Sequence, residues 1–429
     1  FDVAFSPTWA ADGKHVIFGG LPSRGLLDST APERDFWVAS LDGGPAVKTG
    51  VLSALAKQKL TFPSTYSHLC AAGGNRFVTS ARLGDSVNLW EIALSPKTWQ
   101  VEGPAQRLTF GAAQELQPSL GAGRLVFASV AESSNIWNLP TEANQGKTSG
   151  TLQQITRGAV ADELPAVAAN GKKLVFISNR SGSRQVWVKD LETGRETAVT
   201  ASPHFLHRAI IAADGSKVAY RERVGQQWTT YIVSSSGGVA EKVCEDCLML
   251  FDWSADGRKI LYSGTGSQAV GLLELASGAK VELVRHPEHT LWQAQFSPDS
   301  RWISFLARID PARHRLYIVP FREGAVVPVA EWIAVTDGRS LDDKPRWSPD
   351  GNLMYFTSER DGFRCIWGQP LDPATKRPVK SAFAVYHSHS PQRSLMNLGA
   401  YPLEMSVTRN ALIFNMGERT GNIWMAEFR

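Results

Sequence analysis

The 429-residue sequence has little that would place it among membrane, disulfide-rich or disordered proteins. It contains no run of about 18 apolar residues, the minimum for a transmembrane helix. Its 4 cysteines are too few for a disulfide scaffold. The net charge of +4 is spread along the chain and gives no nucleic-acid-binding footprint. Abundant aromatic residues argue against disorder. We therefore predict a globular chain that binds no nucleic acid and has no membrane span.

The start of the chain also lacks the basic and apolar segments of a signal peptide. The chain begins at Phe1 rather than at methionine, so we expect an upstream segment, which could tether the protein to a membrane. Helical periodicity is nearly absent, with the stretch from Ser53 to Lys59 as the one exception.

What the sequence does have is 14 tryptophans, against about 5 or 6 in a chain of typical composition. Most fall in a repeat, in which a polar turn, a short apolar strand ending in an aromatic residue, a second polar turn and an apolar-aromatic pair follow one another. Six of the nine residues in the second aromatic slot are tryptophan: Trp37, Trp90, Trp137, Trp187, Tyr231, Leu272, Tyr317, Trp367 and Trp424.

This repeat predicts an all-β fold, a single β-propeller of four-stranded antiparallel blades, because one such unit cannot cover its own faces and must stack on its neighbours. The recurring aromatic residues then belong to the hydrophobic core between blades rather than to a cage that binds a ligand. We count nine repeats in one domain, with eight blades as the alternative. Their approximate bounds are 1–50, 51–105, 106–152, 153–200, 201–243, 244–283, 284–331, 332–382 and 383–429.

The sequence leaves two possible sources for the strand that closes the ring. The ninth repeat ends on its third strand, so its outer strand must come from elsewhere, and only residues 1–4 are available for it ahead of the inner strand around Trp9. The missing upstream segment is an alternative source of this strand.

Three segments carry a recognisable motif: Trp253–Gly257, Phe296–Ser300 and Trp347–Gly351. They resemble the W-S-P-D-G motif of TolB-like propeller repeats. The segments Ser178–Gly182 and Ser358–Gly362 resemble the second turn of the same repeat. The resemblance covers essentially the whole chain and is specific for the fold but weak for function.

The chain also resembles the propellers of bacterial transmembrane serine/threonine kinases, of the Tol–Pal envelope system and of dipeptidyl-peptidase-like enzymes. This resemblance implies an extracytoplasmic recognition module on the periplasmic or outer face of a bacterial membrane. No kinase motif, no Gly-x-Ser-x-Gly nucleophile and no complete phosphate-binding loop occurs in the sequence.

The Asp-Gly pairs of the repeats favour turn chemistry over calcium binding, because no Asp-x-Asp-x-Asp-Gly loop is present.

Cys244 and Cys247 form a Cys-x-x-Cys pair without the second pair that a zinc site needs, since Cys70 and Cys365 lie in other repeats. A local disulfide is the favoured state, with free thiols as the main alternative. We predict neither a cofactor nor a metal.

The candidate binding residues lie in loops and inner strands that a propeller would gather at one mouth of its channel. Three histidine pairs precede innermost strands: His204 with His207, His286 with His289, and His387 with His389. Charged residues occupy comparable places: Glu115, Asp162, Glu163, Arg208, Asp342, Asp343 and Lys344. These side chains could meet around a metal or an anionic ligand. Exposed histidines pointing in different directions are the alternative.

We predict a non-enzymatic propeller that binds a protein, a peptide or a small molecule at a loop face or in the channel, as the sensor or interaction domain of a larger envelope or kinase receptor protein. One alternative is a lyase or hydrolase with its site in the central channel. The other is a structural component of a Tol–Pal-like envelope assembly.

Overall fold

A computed structural model describes residues 3–21, 34–63, 69–84, 86–158, 161–225, 227–399 and 401–427. Phe1 and Asp2, considered above for ring closure, lie outside the described residues. About 53% of the chain is strand and 4% is helix, so the all-β propeller prediction is confirmed. In the described part of the chain, no helix is long and apolar enough to span a membrane.

The chain folds into two compact units, one made of Phe1–Glu132 with Arg419–Arg429 and the other of Ser133–Glu418. Unit 1 has two four-stranded antiparallel sheets and one further strand pair. Its elements are β1 (Val3–Trp9), β2 (His15–Leu21), β3 (Asp35–Ser40), β4 (Val47–Lys48), α1 (Val51–Lys57), β5 (Cys70–Ala71), β6 (Arg76–Leu83), β7 (Ser86–Ala93), β8 (Gln106–Arg107), β9 (Gln114–Gly121) and the first part of β10 (Arg124–Glu142).

Unit 2 contains six sheets, five of which are four-stranded meanders in chain order. Before the meanders lie the rest of β10, β11 (Lys147–Thr148) and β12 (Gln153–Gln154). The meanders are β13 (Asp162–Val167), β14 (Lys173–Ser178), β15 (Gln185–Asp190) and β16 (Glu196–Ala198); β17 (Phe205–Ile211), β18 (Lys217–Val224), β19 (Gln227–Ser234) and β20 (Glu241–Cys244); β21 (Met249–Trp253), β22 (Lys259–Ser263), β23 (Ala269–Glu274) and β24 (Lys280–Arg285); β25 (Thr290–Phe296), β26 (Trp302–Arg308), β27 (His314–Pro320) and β28 (Ile333–Ala334); β29 (Asp343–Trp347), β30 (Leu353–Ser358), β31 (Cys365–Pro370) and β32 (Phe383–Tyr386).

The sixth sheet of unit 2 is built from both ends of that unit. Its remaining elements are β33 (Arg393–Ser394), β34 (Met405–Val407) and β35 (Ala411–Glu427), and short 3-10 turns occur at Thr265–Ser267, Val329–Glu331 and Leu395–Asn397. Met405 of β34 pairs with Phe414 of β35, β35 lies beside β10, and Trp137 of β10 pairs with Gln154 of β12. The third and fourth strands of the last blade therefore come from the start of unit 2, from residues 133–142 and from β12.

Unit 2 forms a closed ring of six blades. Each innermost strand contacts the next, in the order β13, β17, β21, β25, β29 and β34, and β34 contacts β13. Hydrophobic clusters fill the spaces between neighbouring sheets, as in the cluster that joins Trp137, Leu353 and Phe414. In unit 2 the arrangement buries the aromatic residues that end the second strand of each blade, such as Phe176, Phe305 and Phe414, as expected for stacked blades. In the second aromatic slot of the repeat, Trp137 is buried, whereas Trp424 is 56% exposed.

This closure differs from the single nine-repeat ring expected from the sequence. The reason lies in repeats three and nine, where the expected second turn does not form. Residues 124–142 run as one strand through Glu132 and Ser133, and residues 411–427 run as one strand through Glu418 and Arg419. Each strand thus gives its two halves to different units.

The W-S-P-D-G motif acts as a turn. The Ser254 hydroxyl donates to Asp256 (2.6 Å), and Asp256 accepts the backbone N–H of Arg258 (3.1 Å). The same serine–aspartate bond recurs in the other two motifs. Gly257 has φ 72°, a left-handed conformation that suits glycine.

The second-turn motif of the repeat holds an arginine in the core. Arg180 lies over the Phe176 and Trp187 rings, at 5.2 and 5.1 Å from their centres, and binds Asp162 at 2.5 Å. Arg360 repeats this pattern one blade before the closing sheet, where its partner is Asp342 at 3.0 Å. Asp162 and Asp342 are therefore tied to structural arginines, which assigns them to the blades rather than to the channel.

Candidate functional site

The innermost strands of unit 2 carry bulges that turn polar side chains toward the channel. Leu164, Arg208, Gln293 and Lys344 all have φ of 56–57°, and the pairing register shifts beside each of them. A bulge inserts an extra residue and changes the direction of the local side chain. Because none of these residues is glycine, the left-handed backbone is strained and must be held by the surrounding structure.

A buried ionic cluster lies in the middle of the channel. Glu404 binds the guanidinium groups of both Arg208 and Arg346, and all three side chains are less than a tenth exposed. Gln293 accepts a hydrogen bond from each arginine, at 3.4 and 3.3 Å. The arginines also donate to the backbone carbonyls of Leu250 and Met405. We call Arg208, Gln293, Arg346 and Glu404 the channel plug.

A second acid, Asp252, accompanies the plug and is partly buried. Asp252 accepts the backbone N–H of Phe296 at 2.9 Å. Burial raises the pKa of Asp252 to about 6, although the arginines Arg346 and Arg208 act in the opposite direction.

Two cavities of unit 2 share Arg208 in their walls. The first has a volume of about 420 Å³ and reaches the loops that contain the W-S-P-D-G motifs. The second has a volume of about 290 Å³, and we call it the Lys344 cavity. Its lining residues are Leu164, His207, Arg208, Met249, Trp292, Gln293, Leu306, Arg308, Pro311, His314, Leu341, Asp343, Lys344 and Tyr401.

The Lys344 cavity combines a buried cation with aromatic walls. Lys344 is 3% exposed and pairs with Asp343 at 3.2 Å. The Trp292 and Tyr401 rings meet edge to face at 6.4 Å, and the His207 ring lies 5.7 Å from Tyr401. Such a combination of apolar wall and few polar groups is typical of small-molecule sites.

The pKa values in this cavity follow from burial and charge. Burial lowers the pKa of Lys344 to about 8, with Asp343 opposing and Arg208 and Arg346 adding to the shift. Burial, helped by Arg208, lowers the pKa of His207 to about 3, so this imidazole is neutral at pH 7. Burial tends to raise the pKa of Asp343, but Lys344 and His314 outweigh it and the net shift is downward. The pair is therefore ionised at neutral pH.

Of the candidate binding residues named from the sequence, the structure brings four together in the Lys344 cavity, namely His207, Arg208, Asp343 and Lys344. Glu163 is nearby on β13 but binds Arg184 at 2.8 Å. His204 is exposed in the preceding loop. Glu115 belongs to unit 1, where it accepts a hydrogen bond from Asn88 at 2.8 Å.

The other two histidine pairs do not reach this cavity. His289 stacks on His286 at 4.2 Å, and His286 lies 5.7 Å from Trp332. His387 and His389 gather around Asp361, at 3.2 Å each. The three pairs thus occupy three separate places, which agrees with the alternative of histidines that point in different directions.

Cys244 and Cys247 are joined in a disulfide at the end of β20. Cys70 is partly buried and Cys365 is fully buried, and both are free thiols. Burial raises the pKa of the Cys365 thiol to about 11.

Several residues of the channel were not found from the sequence: Asp252, Trp292, Gln293, His314, Arg346, Tyr401 and Glu404. One signal was available for two of them. Asp252 and Arg346 are charged residues that directly precede the tryptophan of a W-S-P-D-G motif. No local pattern marks Glu404 or Tyr401.

Unit 1 has a cavity of about 590 Å³ beside α1. Its lining includes Lys48, Lys57 and Gln58 but neither an aromatic residue nor a carboxylate. It therefore offers fewer recognition groups than the Lys344 cavity.

Comparison with known proteins gives no match to a family model and no match among curated proteins. Solved structures do match. A protein described as TolB from Agrobacterium tumefaciens has 17% identity and a TM-score of 0.52, over 67% of this chain and 99% of that one. TolB from Acinetobacter baumannii has 13% identity and a TM-score of 0.47, over 83% and 84% of the two chains.

An oligogalacturonate lyase from Vibrio parahaemolyticus is also similar, with 12% identity and a TM-score of 0.42 over 80% of this chain and 86% of that one. At these identities the likeness concerns the fold and not the activity. The fold of this chain is that of the TolB-like β-propellers.

Proposed function

We propose that unit 2 is a non-enzymatic binding propeller whose ligand is a small carboxylate with an aromatic or apolar portion. The carboxylate would pair with Lys344, and the apolar portion would lie against Trp292 and Tyr401. The observation that carries the proposal is the buried ammonium group of Lys344 in the wall of an aromatic-lined cavity.

The charges of the lining support an anionic ligand. Arg208, Arg308 and Lys344 are cationic, and Asp343 is the one carboxylate among the lining residues. Glu404 already neutralises part of the charge of Arg208. The lining therefore carries more cationic side chains than carboxylates, and a hydrogen-bonded anionic ligand would balance that excess.

The enzymatic alternative, a lyase or hydrolase, rests on acid–base chemistry by histidines in the channel. His207 and His314 line the same cavity, whereas His289 and His387 lie elsewhere. The double variant H207A/H314A tests this alternative, because loss of a measured turnover in that variant would favour an enzyme over a binding module.

A second proposal concerns the cellular compartment of the protein and the larger protein to which it belongs. We propose that it works outside the cytoplasm, as the sensor or interaction domain of a larger bacterial receptor or envelope protein. A disulfide between Cys244 and Cys247 supports this location, because structural disulfides persist in oxidising compartments. Alkylation of thiols in intact cells tests it, since a reduced Cys244–Cys247 pair would contradict the proposal.

The variant K344M is expected to abolish binding of a carboxylate probe. We suggest N-acetyl-L-tryptophan as the probe and N-acetyl-L-tryptophanamide, which lacks the carboxylate, as its matched partner. Saturation-transfer NMR and calorimetry should show saturable binding of the acid only. K376M is the control, because Lys376 is equally buried in unit 2 (3% exposed) but bonds to Gly351 and Asn352. Equal binding of acid and amide, or retained binding by K344M, contradicts the proposal.

The pH dependence of that binding is a second expected result. Lys344 has a pKa of about 8, so its positive charge is present below that pH and is lost as the pH rises through it. Affinity for N-acetyl-L-tryptophan is therefore expected to fall between about pH 7 and pH 9. Calorimetric titrations across this range check it, and an affinity that stays constant to pH 9 would exclude Lys344 as the carboxylate partner.

A further inference from the structure

Four side chains with metal-binding atoms meet at the edge of the blade formed by β29–β32. They are Asp361, Cys365, His387 and His389, and their ligand atoms all lie within 4.8 Å of one another. We call this group the blade-edge cluster. Within the described residues it is the one group of three or more such side chains at this spacing.

The blade topology explains why residues so far apart in sequence meet. Asp361 lies in the turn between β30 and β31, and Cys365 is the first residue of β31. β31 pairs with β32 in antiparallel register, with Ile366 opposite Tyr386. One step along this register brings His387 beside Cys365, and His389 follows two residues later.

The distances in the cluster suit a tetrahedral ion. Asp361 Oδ2 lies 3.2 Å from His387 Nδ1 and 3.2 Å from His389 Nε2. The two histidine nitrogens lie 3.3 Å from each other. When an ion binds nitrogen and oxygen at about 2.0–2.1 Å in a tetrahedron, neighbouring ligand atoms are about 3.3 Å apart. These three atoms are therefore already spaced as three corners of such a site.

The fourth corner is the sulfur of Cys365. Its side chain is fully buried, and its Sγ accepts the backbone N–H of Ser388, the residue between the two histidines, at 3.4 Å. The sulfur thus lies under the loop that carries both imidazoles. The histidine side chains are about half exposed, at 55% and 44%, so an ion can enter from solvent.

We propose that Asp361, Cys365, His387 and His389 bind one Zn²⁺ ion. A thiolate and two imidazoles suit a borderline-soft ion and disfavour Mg²⁺ and Ca²⁺, which prefer oxygen ligands. Four protein ligands fill a tetrahedral shell, so the site is structural rather than catalytic. The ion would fasten the segment after β32 to the β30–β31 turn, next to the chain that leads into the closing sheet. The sequence analysis predicted no metal.

A second pair of neighbouring histidines, His286 and His289, provides a matched control. His286 and His289 lie closer together than His387 and His389, with ring centres 4.2 Å apart against 4.8 Å. Their ring contacts are with each other and with Trp332, and they have no place in the blade-edge cluster. If a pair of neighbouring imidazoles were sufficient for binding, this pair would bind zinc as well.

Zinc titration of the untagged full chain tests the proposal. After removal of metals with EDTA, a chromophoric indicator should report one equivalent of bound Zn²⁺, and excess Mg²⁺ should not displace it. C365S and H387A/H389A should lose this binding, whereas H286A/H289A should keep it. Circular dichroism shows whether each variant is folded. Absence of stoichiometric binding, or binding that survives in H387A/H389A, would overturn the proposal.

Cobalt substitution tests the sulfur ligand separately. Co²⁺ in the site should give a thiolate-to-metal charge-transfer band, and this band should be missing in C365S. A Co²⁺ complex of the unaltered protein without that band would overturn the assignment of Cys365. A hydrogen-bonded cluster that does not bind metal would give neither the band nor the zinc stoichiometry.

Discussion

Replacing Glu404 by glutamine is expected to destabilise unit 2 by about 3–5 kcal/mol. Glu404 is the carboxylate shared by Arg208 and Arg346, and it is 3% exposed. The neutral amide has nearly the same shape but leaves two buried guanidinium groups without the carboxylate that bonds them both. The cost of such uncompensated charge exceeds the modest net value of the intact ion pair.

Urea denaturation and hydrogen exchange of the β13 and β29 amides measure this effect in the full chain. The control is E323Q, because Glu323 bonds Lys259 at 2.7 Å on the exposed surface and its loss should cost less than about 1 kcal/mol. The triple variant R208M/E404L/R346M removes the three charged side chains of the channel plug together and should recover most of the loss. If E404Q is as stable as E323Q, Glu404 does not compensate the buried charges of Arg208 and Arg346.

Phe414→Ala is expected to cost about 3–5 kcal/mol and to open the ring at its closing blade. Phe414 is fully buried on β35, pairs with Met405 and lies 5.7 Å from the Tyr386 ring. It belongs to the cluster that includes Trp137, from the first strand of unit 2. A cavity at this place therefore weakens the one sheet that joins the two ends of the unit.

Residue-resolved hydrogen exchange checks the prediction, because the amides of residues 133–142 and of β34 should lose protection before those of the other blades. Phe205→Ala is the matched control, since Phe205 is 48% exposed and its loss should cost about 1 kcal/mol or less. Uniform loss of protection in all six sheets would contradict local opening at the closing blade.

The local structure of the blades could be predicted from the sequence, because each signal acts within a few residues. The turn of a W-S-P-D-G motif is made by its own serine, aspartate and glycine. The strands follow from short apolar runs between such turns, and the aromatic slots face the neighbouring sheet. Cys244 and Cys247 are three residues apart and meet without help from the rest of the chain.

The candidate site was only partly predictable, because its contacts join distant residues. Arg208 and Glu404 are 196 residues apart, and their meeting depends on the bulge at Arg208 and on ring closure. The left-handed backbone at the bulges could not be predicted, because none of the four residues there is glycine: Leu164, Arg208, Gln293 and Lys344. His207 and Lys344 were among the predicted residues because they flank innermost strands, whereas Tyr401 lies in a connection without any motif.

The sequence by itself therefore determined the repeat, most of its strands and turns, and the strand-end aromatic residues that the blades of unit 2 bury. Tertiary structure decided which blades share a ring, because residues 133–142 pair with β35 at the far end of unit 2 and no local pattern encodes that partner. It also decided which polar residues meet. Burial in the channel then sets the pKa values of Lys344 and His207, since desolvation depends on the closed ring and not on neighbouring residues in the sequence.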